Sequence, residues 1–278
     1  MSFSPEWLDR REPVDHRSRN PDLVAALARR FAGRDRLAVV DLGCGAGSNL
    51  RALAPVLPER QSWRLVDHDP ALLAAARERL AAWADGASEA GAALELRKGG
   101  RTIEVAFHRA DLAADLAGAL GAATHLVTAA ALFDLVSPAF IDRLAAEVAG
   151  RGAVFYTALT YDGIEIWEPP HGADAAMLAA FHAHQAGDKG FGPSAGPGAT
   201  EVLARAFLTQ GYRVRSAGSP WRLGPGDAAL IRDLAEGAAA AACETGRVAE
   251  ATVAAWLASR RSASACTVGH QDLLAFPA

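Results

Sequence analysis

The stretch Val39-Val40-Asp41-Leu42-Gly43-Cys44-Gly45-Ala46-Gly47-Ser48-Asn49 decides how this chain is read. An apolar, β-branched run ends on an acid, three glycines alternate, and polar residues then open a helix near Ser48. Glycines in such a turn tolerate positive φ and let a ligand approach bare backbone, while the first turn of the helix offers unpaired N–H donors. A tight strand-to-helix turn would need some of the same glycines, so the loop acquires its meaning from the residues downstream of it.

Downstream, short β-rich runs alternate with helical stretches, the pattern of a parallel sheet covered on both faces. Leu37–Val40, Trp63–Val66, Ile103–His108, His125–Thr128 and Ala153–Leu159 read as five strands. Helices lie between them, among them Pro70–Trp83 behind a capping Asp69, and Pro138 to about Ala149 behind Ser137. Lys98-Gly99-Gly100, between Leu94–Leu96 and Thr102–Phe107, is a hairpin signal that predicts an extra strand. Tyr212–Arg215 reads as a sixth strand and Cys266–Phe276 as a last one.

Two interruptions break the rhythm. Residues 160–198, rich in aromatics, proline and glycine, read as a substrate cap, and residues 226–261 as a helical insertion; residues 1–36 form a helical cover. The 278 residues carry 28 basic and 32 acidic side chains, a net charge of −4, with 51% hydrophobic residues, enough for one well-filled α/β domain. Lys98 and Lys189 are the only lysines. No basic run points to nucleic acid, and no window reaches the ~18 uncharged apolar residues of a membrane span. The start MSFSPEWLDRREP lacks a signal-peptide core, and Cys44, Cys243 and Cys266 are too far apart and odd in number for a disulfide framework, so a cytoplasmic location is expected.

Asp67 closes the second strand about 20 residues beyond Gly47, where an acid can accept ribose hydroxyls, and Asp111 ends the third strand at matching height. Asp41 suits a cationic group better than a pyrophosphate, which it would repel. A nicotinamide fingerprint also fails, since the glycine it requires is Ser48 or Leu50 in the two available registers.

This constellation resembles the class I S-adenosylmethionine-dependent methyltransferases. Asp41-x-Gly43-x-Gly45-x-Gly47 looks like that family's first motif, with Cys44 inside it; Asp67, followed by His68, looks like its ribose-binding acid, and Asp111-Leu112 like its adenine-contacting pair. Leu126–Val136, including Thr128, looks like the fourth motif beside the transferable methyl. The resemblance covers residues 37–160 well and the closing strands in outline. It implies a Rossmann-like, doubly wound, seven-stranded mixed sheet with the last strand antiparallel. It also implies S-adenosylmethionine as methyl donor, S-adenosylhomocysteine as product, and transfer to nitrogen or oxygen of a small metabolite. A non-catalytic cofactor-binding or interaction protein, and a protein or RNA methyltransferase, are the alternatives.

Arg19 or Arg17 is placed to pair with the methionine carboxylate, a guanidinium being suited to bidentate contact. The expected chemistry falls to Asp134 after the fourth strand, Tyr161 past the fifth, and His171 in the cap. Tyr156 and Thr157 leave the fifth strand beside the same cavity, and Tyr156 is open to two readings, orienting an amine or hydroxyl or packing a face of the sheet. His182 and His184 do not share a helix face, and no metal site is expected. Five acids in the cap (Asp162, Glu165, Glu168, Asp174, Asp188) against Lys189 lead to the expectation of a neutral or cationic acceptor. A homodimer is compatible with the sequence, which leaves the oligomeric state open.

Overall fold

The computed structural model describes residues 4–278. Its strands are β1 (Arg36–Leu42), β2 (Arg60–Asp67), β3 (Gly86–Ala90), β4 (Ala93–Lys98), β5 (Arg101–Arg109), β6 (Leu126–Ala130), β7 (Val154–Glu168), β8 (Tyr212–Gly218), β9 (Trp221–Leu223) and β10 (Ala265–Pro277). They form one sheet in the order β3-β4-β5-β2-β1-β6-β7-β10-β8, with β9 beside β10. The pairs β5/β2, β2/β1, β1/β6 and β6/β7 are parallel, whereas β10 runs antiparallel to β7, β8 and β9. The expected seven strands are all present, the last of them antiparallel.

Three strands exceed the expected seven. The β4–β5 hairpin closes on Gly99 and Gly100 at φ 54° and 80°, the doubly left-handed turn that the glycine pair permits. A further antiparallel strand, β3, then pairs outside β4, and β9 adds three residues beside β10. The fifth strand also outruns its expected end: β7 continues to Glu168, so the stretch from 160, read as the start of the cap, is strand pairing with β10.

Alternation along each strand explains why both faces are covered. Val39, Trp63, Leu65 and Tyr156 join one buried cluster with the helices α2 (Pro21–Phe31) and α3 (Ser48–Leu53). Val40, Leu42, Val66 and Phe155 point the other way, against α6 (Pro138–Gly150) and α8 (Ala199–Thr209). Asp69 caps α4 (Pro70–Trp83) by accepting the Ala71 N–H at 2.8 Å, as its sequence predicts. After a short α5 (Leu116–Leu120), the remaining helices are α7 (Asp174–Gln185), α9 (Ala228–Thr245) and α10 (Glu250–Arg260).

The N-terminal helix α1 (Pro5–Ser18) is pinned at both sides. Asp9 pairs with Arg79 of α4 and Glu12 with Arg51 of α3, while Arg10 and Arg17 reach Asp233 and Asp227 near α9. Asp272 of β10 ties this cover to the sheet. Fully buried, it accepts the Asn20 N–H at 2.9 Å, the Tyr156 hydroxyl at 3.0 Å and the N–H of Leu159 at 2.9 Å. Leu159 itself sits at φ 59°, rare for a branched residue, and the bond to Asp272 holds it there. Replacing Asp272 by Ala leaves two buried donors and a part-buried one without an acceptor, which should cost about 3 kcal/mol of unfolding free energy. A urea midpoint equal to that of the wild type would refute this assignment.

Candidate functional site

Chain order reverses where β1 lies between β2 and β6, and the crevice beyond the carboxyl ends of these strands is where open α/β sheets hold ligands. A cavity of about 730 Å³ occupies it, within the range of small-ligand sites. Gly43, Gly45 and Gly47 all have positive φ, as the loop reading requires. They serve different ends. Gly43 and Gly45 line the cavity, and a Cβ on Gly45 would stand 3.1 Å from Cδ1 of Leu8 in the α1 cover. A Cβ on Gly47 would instead meet Leu80 and Ala76 of α4; Gly47 lets α3 pack closely and is not among the lining residues.

Asp67 faces the cavity from the end of β2. Its Oδ2 accepts the Gly45 N–H at 2.9 Å and its Oδ1 the Asp69 N–H at 3.0 Å, with His68 Nδ1 3.3 Å away. A carboxylate offers about four acceptor positions, so two remain for a ligand. Asp111 also lines the cavity, oriented by the Ala113 N–H at 2.9 Å, with Leu112, Cys44 and His68 beside it.

Beneath the glycine loop lies a buried chain. Asn49 donates to Asp41 at 2.7 Å and to Thr128 at 3.1 Å, and it is Asn49, not Asp41 or Thr128, that reaches the cavity wall. Burial pushes the Asp41 carboxyl up to about 7, against the opposing pull of Asn49 and Arg19. Arg19 lines the cavity while almost wholly buried, and its Nε and Nη1 have no hydrogen-bond partner among the described residues. The alternative, Arg17, pairs with Asp227 at 2.7 Å.

The fold is similar to that of solved structures of low sequence identity. One is a cyclopropane-fatty-acyl-phospholipid synthase-like protein from Lactobacillus casei ATCC 334, 17% identical over 96% of this chain and 92% of that one, at a TM-score of 0.54. The YcgJ protein of Bacillus subtilis is 11% identical over 94% and 98%, at a TM-score of 0.50. Magnesium protoporphyrin IX methyltransferase from Synechocystis PCC 6803, solved with bound S-adenosylmethionine, is 12% identical over 79% of each chain, at a TM-score of 0.44. The chain has the class I methyltransferase fold. No protein-family profile and no curated protein matches the sequence.

In this methyltransferase fold the three residues expected to carry chemistry stand outside the cavity lining. Asp134 is buried behind Leu132 and Leu135, accepts Gln185 Nε2 at 2.9 Å, and is pushed up to about 6 by burial. Tyr161 is buried too, its hydroxyl 2.9 Å from His182 Nε2 and its ring edge-on to Phe181. His171 organises the entry to α7: its N–H donates to Asp174 and its Nδ1 accepts from Ala173. Its place is structural, because the turn consumes the imidazole nitrogen that faces the backbone. Among the described residues no group of His, Cys, Asp or Glu could hold a metal ion, and no helix is long and apolar enough to cross a membrane.

The cover contributes residues that strand-by-strand reading passes over. Leu8, Arg11, Asp15 and Arg19 all line the cavity, and their spacing of three and four residues is the stripe of one helix face, carried on just past the end of α1. Arg11 and Asp15 pair at 2.8 Å, and Trp221 donates to Asp15 at 3.0 Å. Lys189, Gly190 and Phe191 are the cap's entire contribution to the lining. None of the five cap acids is there, so the expected neutral or cationic acceptor has no cap charge to favour it: Asp188, for example, spends its carboxylate on the N–H groups of Gly190 and Gly192.

Because Asp41 titrates near 7 in the folded chain and near 3.9 when unfolded, the folded state binds the extra proton between those values. Its contribution to stability therefore falls as pH rises from about 4 to about 7. Between pH 5 and pH 8, Asp41→Asn should lose less stability than the wild type, by on the order of 2 kcal/mol in urea titrations. Parallel losses in the two proteins would contradict a protonated, buried Asp41.

Proposed function

We propose that the protein is an S-adenosylmethionine-dependent methyltransferase acting on nitrogen or oxygen of a small molecule. One observation carries this reading: a buried guanidinium with two unbonded nitrogens and a half-used carboxylate, Arg19 and Asp67, face the same cavity across a glycine cradle. Buried N–H donors left unbonded on a cation are costly, and a ligand carboxylate would offset that cost. The residues suited to the cofactor are Asp67 for the ribose, Asp111 and Leu112 for the adenine, Arg19 for the amino-acid carboxylate, and Gly43, Cys44 and Gly45 where backbone must come close.

S-adenosylmethionine, when bound, supplies an electrophilic methyl group on a sulfonium. The chain's own share of the work is alignment and exclusion of water. Leu132 and Leu135 give an apolar wall beside the end of β6, and Ala131, held at φ 52°, turns the chain sharply there. Holding an acceptor atom in line is worth more than any single catalytic group in a displacement of this kind.

Calorimetry should show micromolar binding of S-adenosylhomocysteine. Asp67→Ala should weaken it by well over tenfold, two hydrogen bonds to a charged acceptor being worth ~1.5–3 kcal/mol each. Unchanged affinity in that variant would reject the site.

A further inference from the structure

The cavity has two electrically different sides. The strand ends and the glycine loop carry the acids, Asp67 and Asp111, each oriented by backbone N–H groups. The opposite wall is built by Ala130, Ala131, Leu132, Leu135 and Phe191, and the one charged side chain on it is Lys189.

The loop that bears Lys189 is constructed rather than loose. Asp188 Oδ1 accepts the N–H groups of Gly190 at 2.7 Å and Gly192 at 2.8 Å, and a bridge joins Asp188 to Pro193. Phe191 packs edge-on against Phe140 with ring centres 4.8 Å apart, and the Ala195 N–H donates to Val136 at 2.7 Å. The loop is thereby anchored to the segment that follows β6. The adjacent acid, Asp188, holds the loop through its Oδ1, and Lys189 makes no ion pair with any described residue. The other positive side chains of the lining differ: Arg11 is neutralised by Asp15, Arg19 is assigned to the cofactor carboxylate, and Arg109 stands at the end of β5 beside Asp111, donating to the His68 carbonyl at 3.3 Å. Lys189, half-buried beside an apolar wall and in no ion pair with a described residue, is complementary to an anion that brings its own apolar body.

We propose that Lys189 is a specificity-determining residue that contacts an anionic group, a carboxylate or a phosphate monoester, on an acceptor whose remaining body is apolar or aromatic and lies against Leu132, Leu135 and Phe191. This rests on the methyltransferase reading above, which supplies the cofactor on the other side of the cavity.

The test uses benzoate, phenyl phosphate and neutral benzamide as probes, titrated by calorimetry or ligand-observed NMR into the protein saturated with S-adenosylhomocysteine. At least one of the two anions should bind about fivefold or more tightly than benzamide, and Lys189→Ala should weaken that anion about tenfold while leaving benzamide unchanged. Lys189→Arg should restore anion binding to within about threefold, which loss of a merely structural lysine would not predict. The anion with the larger Lys189 dependence identifies the group. S-adenosylhomocysteine affinity should stay within about twofold in every variant.

Equal binding of benzamide and both anions, or anion binding indifferent to Lys189→Ala, overturns the proposal. So does a parallel loss of S-adenosylhomocysteine, which would place Lys189 in the cofactor site. Failure of the wild type to bind S-adenosylhomocysteine is a separate result that rejects the methyltransferase reading. The anion arms are then run without it, and because benzoate can also reach a vacant Arg19, only the difference made by Lys189→Ala decides the matter.

Discussion

The bond from the Gly45 N–H to the Asp67 carboxylate, 2.9 Å long, couples the two halves of the crevice. It fastens the loop after β1 to the end of β2, so that a bare stretch of backbone and an acid are held side by side. The cover depends on the same point. Leu8 of α1 rests where a side chain at position 45 would project, so the helix can close over the loop because residue 45 is glycine. The ion pairs of α1 to α3, α4 and the α9 region then hold it across the cavity from both sides.

Charge is distributed to match this geometry. A protonated or half-protonated Asp41 lies beneath the loop, linked through Asn49 to Thr128, while Arg19 comes down from the cover with Nε and Nη1 unbonded. Burying these groups is expensive, and the expense is sustained by tertiary structure: Asp272 fixes Asn20, the residue next to Arg19, to the sheet through its backbone N–H. Positioning of the cofactor-facing guanidinium and stability of the closing strand are therefore one problem, solved by one buried carboxylate.

Much of this was legible in the residues alone, for a physical reason. The glycine loop, Asp67, Asp111 and the buried strands are local patterns, in which spacing along the chain fixes spacing in space. Arg19 could be singled out with Arg17, but only the pairing of Arg17 with Asp227, 210 residues away, separates the two. Asp272 gave no signal, since its three donors come from residues 20, 156 and 159. Strand β3, Gly-Ala-Ser-Glu-Ala, is exposed throughout and has no apolar alternation to announce it. The acids after residue 160 suggested a charged cap because composition counts charges without saying where they point. Most of β7 beyond Leu159 pairs with β10, and the cap reaches the cavity through three residues. Gly47 belonged to the motif by spacing, yet the atoms around it are those of α4.

The most direct measurement is a crystal structure of the protein with S-adenosylhomocysteine. Ribose hydroxyls should occupy the free positions of the Asp67 carboxylate, with the Gly45 N–H still bound to it, and the homocysteine carboxylate should sit on Arg19. Clear density for the ligand elsewhere, or a crevice kept shut by α1 with Nε and Nη1 of Arg19 still unbonded, would contradict this assignment.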